Sequence, residues 1–527
     1  MLVRRCLFAS SLLACGCGDD TGGGNGSGTS TGSHGSTTAE GSTTTGDVSA
    51  EGTSGGEDSS SSGTPQGTSS SEPDTSSGGS TTTGEGVCAA PDPIVGGTPE
   101  TDAVALSPAR CGMPAYAWSD SDQLGDVSSY GDTTSFTADL LNFASLAAGI
   151  ALPAPAQYDV TIEQFEYTTQ DRGALIDASS LVAYPEGLDP SEDAPVVLLL
   201  HGTAGFSDGC SPSNTDEGRL LAALFATYGY LVVAPDYIGL KGVGAPTGFK
   251  HPYLVGEATA IASLDAVRAL RKLPQERRGG LCPSTEYAIY GASQGGHAAL
   301  WVDRLAPYYA RELTPLGVVA SIPPADILGQ MTLALQTEIS ATGNAIAYFG
   351  STADWYGQED NLDEVFVAPL DVDVPAALEV SCDPEDELGL GGDTLLPDIF
   401  TGPILQAAAD ETLADYGWVG CIAEESTLTT TSIPRIESAL PSYGILTVLG
   451  EEDELVNTPT ERVAYQALCS AGLPTEYLEC AGAGHTDAGL WSLGESLDFI
   501  AARVAGEPFE SPASCAPTAP ITCSGTN

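Results

Sequence analysis

The chain has 527 residues and carries 71 Asp+Glu against 17 Lys+Arg, a formal net charge of −54. Phosphate and anionic lipid surfaces are bound by basic side chains, so this balance argues against a nucleic-acid binder and against electrostatic membrane binding. A hydrophobic fraction of 42% allows a sizeable core, while no apolar run reaches the ~18 residues a spanning helix needs.

The start reads as an export signal: Arg4 and Arg5 precede a short apolar stretch, Cys6 to Ala14. Leu12-Leu13-Ala14-Cys15 looks like a bacterial lipobox, which makes Cys15 the expected lipidated residue, with Cys17 as second candidate. Residues 1–18 form this region, and 19–86 form a spacer. From Thr21 to Gly86, 50 of 66 residues are Gly, Ser or Thr, too few apolar groups to offset the entropy of ordering. The expected location is the bacterial cell envelope or the medium, with membrane contact only through the lipid. Beyond Cys6, Cys15 and Cys17 ten cysteines remain, an even number that exported chains pair. Short loops cost least to close, so sequence neighbours are the expected partners: 88–111, 210–282, 382–421, 469–480 and 515–523. Without CxxC pairs and with five His, no metal site is expected.

An entry segment, 87–157, carries no motif. Tyr158–Thr168 and Ala174–Tyr184 alternate as strands do. Pro195–Leu200, Tyr230–Asp236, Glu286–Tyr290 and Leu316–Ile322 are continuous apolar runs, as strands buried on both faces read. Helices are predicted over Thr215–Tyr228, Glu257–Leu273 and Gln294–Leu305. This alternation describes an α/β fold, a mostly parallel sheet with helices on both faces. The pattern covers 158–324, breaks over 325–440 and resumes over 441–527, with strands Gly444–Gly450 and Glu476–Cys480 and a helix from Asp487 to Val504. A structureless loop of that length is not expected inside a domain, so 325–440 reads as a helical cap inserted between the sixth and seventh strands. It holds 22 Asp+Glu and one basic residue, Arg435. Asp383–Asp393 lacks calcium-loop spacing. The cap aromatics Phe349, Trp355, Tyr356, Phe366, Phe400, Tyr416 and Trp418 suit either an apolar pocket or the cap's own packing.

Gly291-Ala292-Ser293-Gln294-Gly295 lies between a strand and a helix, the context of a nucleophile elbow. A serine hydroxyl needs a base within reach. Of the five histidines, His34 is in the spacer, and His201, His251 and His297 read as structural. His485, in a small-residue loop after the last strand, is the expected base. Its orienting carboxylate falls within Glu451-Glu452-Asp453-Glu454. Asp453 is preferred, because it stands at the G-x-x-D-x-x-V spacing usual for an acid on this loop. The order Ser293, Asp453, His485 is that of α/β-hydrolases. Backbone N–H groups of Gln294 and Thr203 are the expected oxyanion donors, with Ala204 as the alternative to Thr203.

The core from about Pro195 to Gly506 resembles the secretory lipase family of the α/β-hydrolases. The matching pieces are HGTAG at 201, APDYIGL at 234, HPYLVGEATAIASLDAVRAL at 251, YGASQGGHAAL at 290 and GEEDELV at 450. The resemblance implies an α/β-hydrolase fold and cofactor-free hydrolysis of a carboxylic ester, often an acylglycerol. Lys241 stands where the pattern has Gly. A serine exopeptidase of the same superfamily is the second reading, because it shares G-x-S-x-G-G. The oligomeric state is left open.

Overall fold

A nine-stranded sheet runs through the described part of the computed structural model, which comprises residues 88, 90–96, 110–190, 193–391 and 394–525. The expected signal, Cys15 and the spacer lie outside the described residues. The strands are β1 (Val127–Phe136), β2 (Val160–Asp171), β3 (Ala174–Pro185), β4 (Asp193–Leu200), β5 (Leu231–Pro235), β6 (Cys282–Ala292), β7 (Thr314–Ser321), β8 (Ile445–Gly450) and β9 (Thr475–Cys480). Their spatial order is β1-β2-β3-β5-β4-β6-β7-β8-β9. The first three pairings are antiparallel, and all pairings from β5 to β9 are parallel. β2 turns into β3 through Arg172 and Gly173, both at positive φ (48° and 84°), the backbone a two-residue hairpin requires.

Most of the runs read as doubly buried strands are so: Val196–Leu200 of β4 and Tyr287–Ala292 of β6 are buried throughout, as is every residue of β8. On one face of the sheet pack α3 (Gly256–Lys272) and α4 (Gln294–Tyr309). On the other lie α1 (Ala138–Ala148) and α2 (Asp216–Ala226). The entry segment, expected to carry no motif, supplies β1 and α1. β1 reads VSSYGDTTSF and contains no fully buried residue, because it is an outer strand with little apolar side chain to bury. Counting it, the cap lies between the seventh and eighth strands. From Tyr158 onward the count matches the expected sixth and seventh. The predicted terminal helix is two, α13 (His485–Trp491) and α14 (Leu493–Val504), separated at Ser492. α12 (Thr458–Ser470) joins β8 to β9.

Among the described residues seven α-helices build the cap: α5 (Ile327–Gln336), α6 (Thr342–Tyr356), α7 (Leu370–Val380), α8 (Pro384–Leu388), α9 (Leu396–Ile399), α10 (Gly402–Ala409) and α11 (Gly417–Ser426). Its aromatics pack with one another. Phe366 stacks on Phe400 at 5.7 Å, and Phe349 meets the same ring edge-on at 6.2 Å. Several buried polar contacts fasten it to the sheet domain. Arg304 on α4 donates to the Leu428 and Ile433 carbonyls, each at 2.9 Å. Trp355 Nε1 donates to Asp171 at 2.8 Å.

The disulfides overturn nearest-neighbour pairing. They join Cys88–Cys282, Cys111–Cys421, Cys210–Cys382, Cys469–Cys515 and Cys480–Cys523, with Cα atoms 5.2–5.5 Å apart. Loop-closure entropy favours near neighbours in an unfolded chain, but the fold decides which cysteines meet. Two bridges tie the cap down: Cys421 to the entry segment and Cys382 to the loop after β4. The two C-terminal bridges hold the tail, which otherwise showed no motif, along β9. There Ile521 N–H donates to the Glu479 carbonyl, and Ala481 N–H to that of Ile521, each at 2.8 Å. The tail thereby covers an outermost strand whose edge would otherwise offer unpaired groups.

Candidate active site

The strand order reverses at β4, which sits between β5 and β6. Loops leaving the carboxyl ends of neighbouring strands at such a point enclose a crevice. β4 and β6 run parallel with Leu200 opposite Gly291, so the 201–205 turn and the 291–295 turn emerge side by side. Ser293 caps α4 at φ 58°, ψ −122°, a strained backbone for a side-chain-bearing residue. The turn is tight enough that a Cβ on Gly291 would strike the Gly295 carbonyl, and one on Gly295 the Leu200 carbonyl. The small residues around Ser293 therefore answer to close backbone approach.

The structure brings Ser293, His485 and Asp453 together. His485 Nε2 lies 3.0 Å from Ser293 Oγ, and Nδ1 lies 2.7 Å from Asp453 Oδ2. A carboxylate only accepts, so the ring proton sits on Nδ1 and the Nε2 lone pair faces the hydroxyl. All three side chains are buried. Asp453 is itself fixed, since its Oδ1 accepts from Leu455 N–H at 2.9 Å and Val456 N–H at 2.8 Å.

The neighbouring acids do other things. Glu454 accepts the His485 backbone N–H at 3.1 Å, Glu451 accepts that of Gly482 at 2.8 Å, and Glu452 is exposed. Glu451 and Glu454 thus hold the histidine loop, which spacing alone did not reveal.

Gln294 is the first residue of α4, where backbone N–H groups have no partner inside the helix and the dipole favours negative charge. Thr203 stands in the adjacent turn. Its Oγ1 pairs with Tyr253 Oη at 2.8 Å, and Asn344 of the cap donates to the same phenol at 2.9 Å. Thr203 and His485 open on a cleft of about 460 Å³ under the cap. Its wall carries Glu338, Asp383, Glu385 and Glu454. None of the cap aromatics named from the sequence lines it, so their place is the cap's packing.

The other folded-region histidines make no hydrogen bond to Ser293 or Asp453 among the described residues. His297 Nε2 lies 2.8 Å from the Ser426 carbonyl of the cap. His201 stacks on Tyr237, and His251 receives the Gln294 side chain. Burial pushes the His201 and His297 pKa values down to about 4 and that of His251 down to about 3. Lys241, the departure from the family pattern, is buried and ion-paired with Glu166, and its Nζ donates to the Ala245 carbonyl at 2.8 Å. Burial works against the Glu166 carboxylate. Hydrogen bonds from Lys241 and Ser129 outweigh it and hold the pKa below the ordinary value. Among the described residues no cluster of three or more His, Cys, Asp or Glu could hold a metal ion.

A family model described as secretory lipase matches residues 213–357, a stretch that includes Ser293 but neither Asp453 nor His485. Lipase 1 of Candida albicans is 26% identical over 291 residues, 53% of this chain and 56% of that protein. A Mycobacterium tuberculosis protein named a probable inactive lipase is 27% identical over 181 residues, 32% of this chain and 38% of that protein. The chain therefore spans about half the length, or less, of these curated relatives. In fold it is similar to the rice cell wall degrading esterase LipA from Xanthomonas oryzae (TM-score 0.57, 18% identity, 72% of this chain and 97% of that one). It is also similar to Candida antarctica lipase A (TM-score 0.54, 18% identity, 76% and 86%). The fold is that of the α/β-hydrolases.

Proposed function

We propose that this chain, which belongs to the secretory lipase family of α/β-hydrolases, is an exported serine carboxylic-ester hydrolase acting through Ser293, His485 and Asp453. The observation that carries the reading is the continuous hydrogen-bond chain from Ser293 Oγ through His485 to Asp453. Ser293 Oγ attacks the ester carbonyl carbon while His485 Nε2 takes its proton. The tetrahedral oxyanion is held by the backbone N–H groups of Gln294 and Thr203. His485 returns the proton to the alkoxide, which leaves as alcohol, and an acyl-Ser293 remains. Water, deprotonated by the same imidazole, attacks the acyl carbon. Collapse regenerates Ser293 and frees the acid. Asp453 holds the tautomer and stabilises the imidazolium. These residues supply nucleophile, proton transfer and charge stabilisation, so no metal or organic cofactor is invoked.

Beside the apolar Phe206, Ile339, Leu390, Ile399 and Leu455, which suit a short acyl group, the cleft wall carries four carboxylates, which suit neutral, hydroxyl-rich alcohols. The carboxylates would equally suit a peptide's α-ammonium, the one observation that favours an exopeptidase. The relatives named lipases and esterases weigh toward esters. Five disulfides support an oxidising compartment, and lipidation at Cys15 would tether the enzyme there. The test compares 4-nitrophenyl esters of increasing acyl length with aminoacyl anilides, alongside labelling by an organophosphonate. Labelling confined to Ser293 and turnover of short esters are expected. Full ester hydrolysis by Ser293→Ala would overturn the reading, and faster anilide than ester turnover would favour the peptidase.

A further inference from the structure

Three buried rings connect the two turns that carry the oxyanion donors. Tyr237 stacks on His201, with centroids 4.1 Å apart and planes 28° apart. It lies 5.9 Å from His251, nearly parallel at 14°. Tyr237 holds φ at +66°, an unfavourable conformation for a bulky residue, and its hydroxyl donates to the His201 carbonyl at 3.0 Å. His201 begins the turn that contains Thr203. At the other end, the His251 backbone N–H donates to the Phe206 carbonyl at 3.0 Å. His251 Nδ1 lies 2.9 Å from the Ile238 carbonyl. A carbonyl only accepts, so the ring proton is on Nδ1 and the Nε2 lone pair is free to accept. It does so from the Gln294 side-chain amide, at 2.7 Å. His251 is completely buried and held neutral, which the acceptor role requires.

We infer that His251 is a positioning residue for the oxyanion hole. By accepting the Gln294 side chain it fixes the residue whose backbone N–H meets the developing negative charge, and through Tyr237 it ties that residue to the Thr203 turn. The inference rests on the reading of Ser293 as nucleophile. Donors to an oxyanion act only if held at the right place before charge develops, and small displacements cost rate steeply. The backbone N–H of the first helical residue is aimed by local torsions, and the anchored side chain restricts them from a second point.

The test replaces the acceptor while keeping a ring in the stack, His251→Phe. kcat falls about 10- to 100-fold with KM changed less than about twofold, because the ground-state carbonyl leans on the hole far less than the oxyanion does. Inactivation by an organophosphonate ester, whose adduct places an anionic oxygen in the hole, slows by a similar factor. Gln294→Met removes the same hydrogen bond from the other side and retains the backbone N–H. It gives the same losses and carries the test if His251→Phe does not fold. The double variant is no worse than either single one, since both remove one interaction. Unchanged kcat and inactivation rate in Gln294→Met, or losses that multiply in the double variant, would overturn the inference. Ser293→Ala is run beside them. Full hydrolysis there would sink the nucleophile assignment itself, whereas its loss beside an intact Gln294→Met would sink only the positioning role.

Discussion

Asp453 Oδ2 sits 2.7 Å from His485 Nδ1, and it alone among four consecutive acidic residues makes a side-chain contact with that ring among the described residues. Its selection follows from where β8 ends. The backbone N–H groups of Leu455 and Val456 turn the Asp453 carboxylate inward, while Glu452 is left in solvent.

The four acids should therefore separate in kinetics. Asp453→Asn presents the wrong partner to Nδ1–H and is expected to cut kcat by about 10³- to 10⁴-fold. Glu452→Gln should be silent. Glu451→Gln and Glu454→Gln should each cost less than about tenfold, through a looser histidine loop. Steady-state kinetics on one short ester checks the order, and a damaging Glu452→Gln with a silent Asp453→Asn would reverse the assignment.

Ser293 occupies a backbone conformation that glycine reaches without strain. Ser293→Gly should be inactive yet more stable than the parent by about 1 kcal/mol or more, whereas Ser293→Ala should be inactive with no such gain. Urea midpoints of the three proteins decide it. Equal midpoints would mean that the turn stores no strain.

Glu461, on α12, links the sheet domain to the start of the cap. Its carboxyl accepts from Gln330 Nε2 at 2.7 Å and Ala325 N–H at 2.9 Å, with Asp326 as its acidic neighbour. Burial, with a smaller push from Asp326, raises its pKa to about 8. Between its ordinary value near 4.5 and 8 the folded protein holds a proton that the unfolded chain has lost. Stability therefore falls as pH rises through that window and levels off above it. Asp236, raised to about 7 by burial, acts in the same sense. Glu461→Gln should match the parent near pH 5 and exceed it in Tm at pH 8 to 9. Parallel Tm curves for the two proteins would show that Glu461 does not titrate there.

Cys210–Cys382 joins the loop after the Thr203 turn to the cap beside the cleft, whereas Cys469–Cys515 lies on the far C-terminal side of the chain. Cys210→Ser/Cys382→Ser should alter acyl-length preference at least severalfold. Cys469→Ser/Cys515→Ser should lower Tm by several degrees and leave preference unchanged. An ester series and a thermal melt of each double variant make the comparison.

Much of the sheet was legible because its parallel strands are buried on both faces and must be apolar throughout, as in PVVLLL at 195 and YLVVAPD at 230. Ser293 and His485 stood out because a strained turn and a loop after the last strand have recognisable small-residue settings. β1 was not legible, since an outer strand buries little side chain. Nor were the bridges, because they record which distant segments the fold brings together. His251 and Tyr237 look like ordinary core residues in sequence, and only the partner of each ring nitrogen or hydroxyl distinguishes them.

No disulfide joins two cysteines that are consecutive among the ten in the folded region, and Cys111 waits 310 residues for Cys421. In a chain that emerges into an oxidising space from its N terminus, Cys88 and Cys111 meet each other before either native partner has appeared. Bridges made in order of emergence would all be wrong, and maturation must pass through their exchange. The yield of native protein would thus depend on the thiol–disulfide exchange capacity of the host compartment as much as on the chain's own stability.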